Sequence, residues 1–300
     1  MILVLGGSGL LGSAILKHLQ QQRYPARVLT RGMGDWQSSN LPNLKALGVE
    51  IVVGDMTNPD VLSKAINGCT GVIHAGGSMH QTTPADLKRI HLDVVEELAR
   101  LSELGGVQRF IQVSCLGSSE FSDCTMMRYK WEGEQVIKEA PFYWTIFRPS
   151  YFFDDTFPFL NVMLPVLKLK PFIPVPGTGL SEIEPIHVDD VANVIVQSLY
   201  NRNAVSKVYE LGGPVTYTML EFIDLVKHYM KIKTPIMHVP TESAGKSAQL
   251  FGKILKNIHT DLIGLMTVDS RCSEEEVELP APLSERTLED ALPRIIQKLK

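Results

Sequence analysis

Over residues 1–150 the apolar positions fall into two kinds of run, short unbroken blocks and longer stretches in which they recur every three or four residues. Met1 to Leu5 is a block of the first kind, the signature of a strand buried on both faces. Gly6-Gly7-Ser8-Gly9-Leu10-Leu11-Gly12 follows, and behind it Leu10, Leu11, Ala14, Ile15 and Leu19 recur at helical spacing. The alternation continues with strands at Ala26 to Thr30, Glu50 to Asp55, Gly71 to Gly77, Arg109 to Ser114 and Tyr143 to Phe147. Between them lie helices opened by Asn58-Pro59-Asp60 and running through Ile66, from Pro84 to Leu104, and over 124–139. Strands alternating with helices predict an α/β fold, a Rossmann-type doubly wound parallel sheet with helices on both faces and ligands at the carboxyl ends of the strands.

Beyond Pro149 the pattern changes. Proline becomes frequent between 158 and 185, and the strands shorten to Ile183 to His187, Lys207 to Leu211 and Pro235 to Val239. Helices are expected at Asp189 to Tyr200 and after Thr218, which forms a capping-box pair with Glu221. The chain therefore divides into a sheet domain, 1–150, and a smaller lobe, 151–300, either closing a cleft over the sheet or returning strands to it. Ser243 to Met266 is amphipathic, with Phe251, Ile254, Leu255, Ile258, Leu262 and Leu265 on one side. That stretch reads as a helix packed on the lobe or as a docking helix for a partner or membrane surface.

Composition narrows the function. An apolar fraction of 44% with 21% charged residues is that of a soluble globular chain, and a net charge of −4 without a long basic run offers no general attraction to nucleic acid or to an anionic membrane. Cys69, Cys115, Cys124 and Cys272 form no C-x-x-C pair and have no histidine at metal spacing, so they read as reduced thiols and no metal is expected. Phe157 to Leu169 is interrupted by Pro158, Pro165 and Lys168 and is too short for a transmembrane span. The apolar N-terminus lacks a basic leader. A cytoplasmic protein, or one of an organelle stroma or matrix after processing, is expected.

The turn Gly6 to Gly12 carries the chemistry. A pyrophosphate must approach bare backbone, a tight turn needs glycine, and a further glycine lets the helix pack on the strand, while the helix N-terminus offers N–H groups and a positive dipole end. The turn is thus a candidate dinucleotide site, using Gly6, Gly7, Ser8, Gly9, Leu10, Leu11 and Gly12. The end of the second strand selects the dinucleotide, since a carboxylate there holds a ribose 2′-hydroxyl and an arginine accepts a 2′-phosphate. Val28-Leu29-Thr30-Arg31-Gly32 has no carboxylate before Asp35, so Arg31 points to NADP(H) over NAD(H), the alternative being a solvated surface arginine.

Taken together, the glycine turn, Gly54-Asp55, Ile73-His74-Ala75-Gly76, Val113-Ser114, Arg148-Pro149, His187-Val188-Asp189-Asp190-Val191-Ala192 and Tyr209-Glu210-Leu211-Gly212-Gly213-Pro214 resemble the extended and atypical branches of the short-chain dehydrogenase/reductase superfamily. Within it they look most like the group of the dinucleotide-binding accessory subunit of respiratory complex I, with NmrA-type sensors and isoflavone-reductase-like enzymes as neighbours; Leu283 to Leu292 shares that likeness. The resemblance implies further cofactor contacts at Asp55, Met56, Ala75, Gly76, Gly77, Lys130, Arg148 and Pro149. In catalytic members a Tyr lies four residues before a Lys on one helix face, the ammonium holding the ribose and lowering the phenol's pKa, and a Ser at the preceding strand end fixes the substrate oxygen. Ser114 and Lys130 stand at these places, but the tyrosine position is Met126, and Tyr129 points about 100° away from Lys130 around the helix.

Two readings follow. One is an NADPH-dependent reductase of a small organic substrate in which Lys130 also assists proton transfer and Tyr151 either replaces the missing donor or belongs to an aromatic wall with Phe152 and Phe153. The other is a binding protein without turnover: a sensor, an assembly factor or an accessory subunit with a protein partner. Lys130 could instead pair with Glu134 one turn on. His74 and Cys115 read as packed residues, and Asp189 as the cap or first-turn acid of its helix.

Overall fold

The structure is a computed structural model, and it describes residues 1–31, 43–77, 83–240, 261–275 and 277–299. In chain order the first half comprises β1 (Ile2–Leu5), α1 (Leu10–Gln21), β2 (Ala26–Thr30), β3 (Glu50–Val53), α2 (Pro59–Ile66), β4 (Gly71–His74), α3 (Pro84–Lys88), a π-helical turn (Arg89–Asp93), α4 (Val94–Leu104), β5 (Arg109–Val113), α5 (Thr125–Glu139) and β6 (Tyr143–Pro149). There follow β7 (Phe152–Phe153), α6 (Pro158–Leu167), β8 (Ile173–Pro176), β9 (Glu182–Ile183), β10 (Ile186–His187), α7 (Val188–Ser198), β11 (Lys207–Leu211), β12 (Tyr217–Thr218), α8 (Met219–Met230), β13 (Ile236–Val239), α9 (Leu262–Thr267) and α10 (Leu288–Lys298).

The main sheet is parallel in the order β11-β6-β5-β4-β1-β2-β3, so the strand order reverses beside β1, where open α/β sheets bind ligands. The unbroken apolar blocks are explained by burial on both faces: β1, β4 and β5 are buried at every position. One layer of core, with Leu11, Ile15, Leu16 and Leu19 of α1 and Val191, Val194 and Ile195 of α7, covers one face. Leu62 and Ile66 of α2 and Val95, Leu98 and Ala99 of α4 cover the other. The boundary at 150 is not a boundary of the sheet, because β11 pairs with β6 from Lys207↔Thr145 to Leu211↔Pro149. A third cluster, built on Phe153, Phe157, Phe159, Phe222 and Ile223, belongs to the smaller lobe.

Local signals in the sequence act as expected where they are self-contained. Asn58 caps α2, and Thr218 and Glu221 close the capping box of α8 reciprocally. The structure departs from the pattern at two places. Residues 84–104 form a helix interrupted by the π turn, whose His91 carbonyl would lie 2.9 Å from a methyl placed on Gly133; only a glycine lets α5 approach so closely. The expected strand Ile183 to His187 is split around Glu184-Pro185, its halves pairing with β12 and β7. Capping of α7 falls to His187, whose Nδ1 accepts from Asp189 N at 3.3 Å, while Asp189 is a first-turn acid facing His18 and Arg286.

Candidate dinucleotide-binding site

The turn after β1 explains its glycines one at a time. Gly6 has φ +77°, and a methyl there would stand 2.6 Å from Ala75 O; a methyl on Gly12 would stand 2.2 Å from Gly6 O. Gly6 therefore makes the turn and Gly12 seats α1 against it. Gly7 packs against Val28, whereas among the described residues a Gly9 methyl would meet only Gly6 O, at 3.2 Å. Gly9 is the N-cap of α1, no side chain among the described residues caps this helix, and its first turn holds no acid. Uncapped N–H groups at a positive dipole end, framed by a close glycine turn, fit a pyrophosphate.

Around that cradle the parallel sheet gathers the strand ends. Thr30 Oγ1 donates to Ser8 Oγ at 3.2 Å, joining the end of β2 to the turn, and the exposed Arg31 follows directly. Asp55, after β3, accepts at one oxygen from Thr57 N and Thr57 Oγ1, both at 2.9 Å. Burial works to raise its pKa, but these bonds and the charges of Arg31 and Arg89 hold its carboxyl below the ordinary value. Asp35 and the Gly32-Met33-Gly34 link lie outside the described residues.

On the other side of β1, His74 is 1% exposed and its Nδ1 lies 3.0 Å from Gln112 Oε1, its register partner on β5. Burial pushes the His74 pKa down to about 4, the Gln112 bond opposing and the Lys130 charge adding. The neutral ring donates from Nδ1 to the amide oxygen, which leaves Nε2 as an acceptor with no hydrogen-bond partner among the described residues. A methyl on Gly76 would meet Met56 Sδ at 3.0 Å and His74 Nε2 at 3.1 Å, and one on Gly77 would meet His91 Cε1 at 3.2 Å. Met56, Gly76 and Gly77 thus line one wall, with Ala75 N bonded to Leu5 O behind them.

The residues read as catalytic are separated by the fold. Lys130 Nζ donates to Val113 O at 3.3 Å, at the end of β5, and does not pair with Glu134. Ser114 is buried beside it, its N–H on Phe147 O at 2.7 Å and its Oγ 3.2 Å from Ser118 Oγ, which also lies 3.3 Å from Cys115 Sγ. Burial raises the Cys115 pKa, in keeping with a packed thiol. Tyr151 is turned away into the smaller lobe: its ring stacks on Phe159 at 4.0 Å, its hydroxyl donates to Leu265 O at 3.1 Å, and burial holds its pKa well above 10. Tyr151 therefore packs in an aromatic cluster, with Phe159 and not with the expected Phe152 and Phe153, and its hydroxyl is engaged away from Ser114 and Lys130. Met126 is buried 5% exposed under the same segment, with its N–H on Asp261 Oδ2 at 2.6 Å.

Arg148 also differs from the expected cofactor contact. Its Nε and Nη2 grip Glu134 Oε1 and Oε2 at 2.9 and 2.6 Å, and Glu134 is fully buried with Lys138 3.9 Å away. The pair ties α5 to β6, and Pro149 beside it accepts Leu116 N at its carbonyl. Sequence reasoning missed Gln112 and Asp261 and gave Glu134 the wrong partner, because each acts through a residue remote in the chain, and it missed Ser118, whose partners Ser114 and Cys115 are local; Gly133, a helix-interior glycine, carried a local sign of close packing.

Residues 6–202 match the profile of a family described as NAD(P)H-binding. The chain belongs to that family. Among its curated relatives is the mitochondrial NADH dehydrogenase [ubiquinone] 1 alpha subcomplex subunit 9 of Arabidopsis thaliana, 30% identical over 243 residues, 78% of this chain and 60% of that one. The chain thus spans less than two thirds of that relative's length. The photosystem II assembly factor Ycf39 of Cyanophora paradoxa is 25% identical, over 80% of this chain and 71% of its own. The NAD(P)H azoreductase of Xenophilus azovorans is 25% identical, over 71% and 68%. In fold the chain matches a Citrobacter sp. triphenylmethane reductase complexed with NADP(H), with a TM-score of 0.68 and 16% identity over 98% and 100% of the two chains. Among the described residues no helix is long and apolar enough to cross a membrane.

Proposed function

We propose that this protein holds NADP(H) at the Gly6 to Gly12 turn and serves as a dinucleotide-dependent accessory subunit or assembly factor, without passing hydride to a carbonyl substrate. The observation that carries this reading is the fate of the proton donor: Met126 occupies the tyrosine position with its backbone held by Asp261, and the Tyr151 hydroxyl is spent on Leu265 O. Hydride transfer to a carbonyl leaves an alkoxide that must be protonated, and neither side chain can supply the proton. The similarity to a respiratory subunit and to a photosystem assembly factor supports a protein partner. The preference for NADP(H) rests on Arg31 following the hydroxyl pair Thr30–Ser8, with no carboxylate at the end of β2 among the described residues.

A second reading, a reductase, is favoured by Ser114 and Lys130 at the end of β5 and by the similarity to an azoreductase. The nicotinamide would supply the hydride, and Lys130 would hold the ribose and hand on the proton. Calorimetry with NADPH and NADH, followed by the absorbance of reduced nicotinamide against carbonyl, enone and azo acceptors, separates the two. The expected result is NADPH binding without acceptor-dependent oxidation. Oxidation that depends on acceptor and is lost in Lys130→Met would establish the reductase, and absence of binding to either nucleotide would overturn both readings.

A further inference from the structure

The small parallel pair β8–β13 places four lysines together. Ile173 is in register with Ile236, and Ile173 N donates to Pro235 O at 2.8 Å. Lys168 and Lys170 precede the first strand and Lys231 and Lys233 the second, all within five residues of that register pair. All four are exposed, and among the described residues none makes an ion pair; the neighbouring Lys227, by contrast, is taken up by Asp224. Two of them have a structural use: Lys168 is the C-cap of α6 and Lys231 the left-handed C-cap of α8, where a cation complements the helix dipole. Lys170 and Lys233 end no helix and have no such use.

Apolar residues are interleaved with these lysines along the two segments. Leu169 and Ile232 are partly buried on the lobe's core, Phe172 is half-buried, and Pro171, Pro235 and the 41%-exposed Met237 stand outward. The chain carries a net charge of −4, so this patch runs against the sign of the whole molecule. We propose that the β8–β13 end of the smaller lobe is a peripheral docking surface for an anionic lipid bilayer. Charge complementarity comes from the four lysines, whose long stems let the ammonium groups reach headgroups while the apolar residues between them meet the interface. A phosphate-binding pocket would instead require charged donors converging on one point, whereas these lysines are spread over two chain segments and the buried side chain beside Lys233, Thr234, offers a single uncharged hydroxyl.

The test is sedimentation of the full chain with vesicles of phosphatidylcholine, with and without phosphatidylglycerol, at low and high salt. Binding is expected only to the anionic vesicles, weakening as salt rises, and the variant K168E/K170E/K231E/K233E should lose at least about tenfold in partitioning. NADPH calorimetry on the same variant, unchanged from the parent, shows that it folds and separates this surface from the nucleotide site. Equal binding of variant and parent, equal binding to neutral vesicles, or binding to soluble polyglutamate without binding to vesicles would overturn the proposal, the last in favour of an acidic protein partner. A double variant restricted to Lys170→Glu and Lys233→Glu, which leaves both helix caps intact, should retain an intermediate loss.

Discussion

Gly12, Arg31 and His74 stand around the proposed dinucleotide site, where steric fit, charge and protonation state can each be tested. A Gly12→Ala methyl would fall 2.2 Å from Gly6 O, a backbone atom that cannot rotate aside. The variant should lose about 2 kcal/mol of stability, by analogy with overpacked cores, and its NADPH binding, as read by denaturant melts and calorimetry. Arg31→Glu should lower NADPH affinity about tenfold or more, equivalent to about 1.4 kcal/mol, while NADH changes little. Equal losses for both nucleotides would remove Arg31 from the 2′-phosphate. His74 has its pKa depressed from 6.5 to about 4 in the fold, so between those values the unfolded chain binds the extra proton and stability falls as pH falls. Its contribution is intact at pH 7 and drops by about 2 kcal/mol by pH 5; His74→Gln should flatten that part of the stability–pH curve relative to the parent. A parallel curve in the variant would mean that His74 is not neutral in the fold.

Among the elements, α5 shows best how position is enforced from outside. Its N-terminus has no side-chain cap of its own and takes Asp261 at Met126 N; its middle reaches the π turn through Gly133; Glu134 is clamped by Arg148. One turn before Glu134, these restraints set Lys130 against Val113 O. Arg148→Met leaves a fully buried carboxylate with only Lys138 at 3.9 Å, and should destabilise the protein by about 3 kcal/mol in urea melts. Glu134→Leu in the same background removes the stranded charge and should recover most of that loss. If the double variant is no better than the single, the stability comes from packing around β6 and not from the ion pair. The helix pattern over 124–139 was legible in the sequence, but its contacts were not, since Asp261 is 135 residues from Met126 and Arg148 reached Glu134 only once β6 lay beside α5.

For the molecule as a whole, the return of β11 to the main sheet makes the two halves of the sequence one folding problem. Residues 1–150 alone would expose the edge of β6 and the face covered by α7, so they should not give a cooperative melt, whereas the full chain should. Saturating NADPH should raise the melting temperature of the full chain in a single shift, with about 2.7 kcal/mol of added stability at a hundredfold excess over the dissociation constant. Two transitions, only one of them responsive to nucleotide, would show that the lobes unfold separately.

The sequence by itself determined the features that neighbours along the chain can enforce. Unbroken apolar blocks made parallel strands, three-to-four periodicity made the helices between them, and local caps such as Asn58 and Thr218 fixed helix starts. The glycine turn was equally legible, because a positive φ at Gly6 and the seat of Gly12 on Gly6 O involve only six residues of separation. Tertiary structure decided the rest. Arg148 stood beside a proline and read as a cofactor contact, yet a buried carboxylate on α5 holds it; Tyr151 followed the same strand and read either as a replacement proton donor or as part of an aromatic wall, and a carbonyl from α9 takes its hydroxyl. Residue type and order reveal what a side chain can do, whereas its hydrogen-bond partner is chosen by whichever remote segment packing brings within about 3 Å, and that choice exists only in the folded chain.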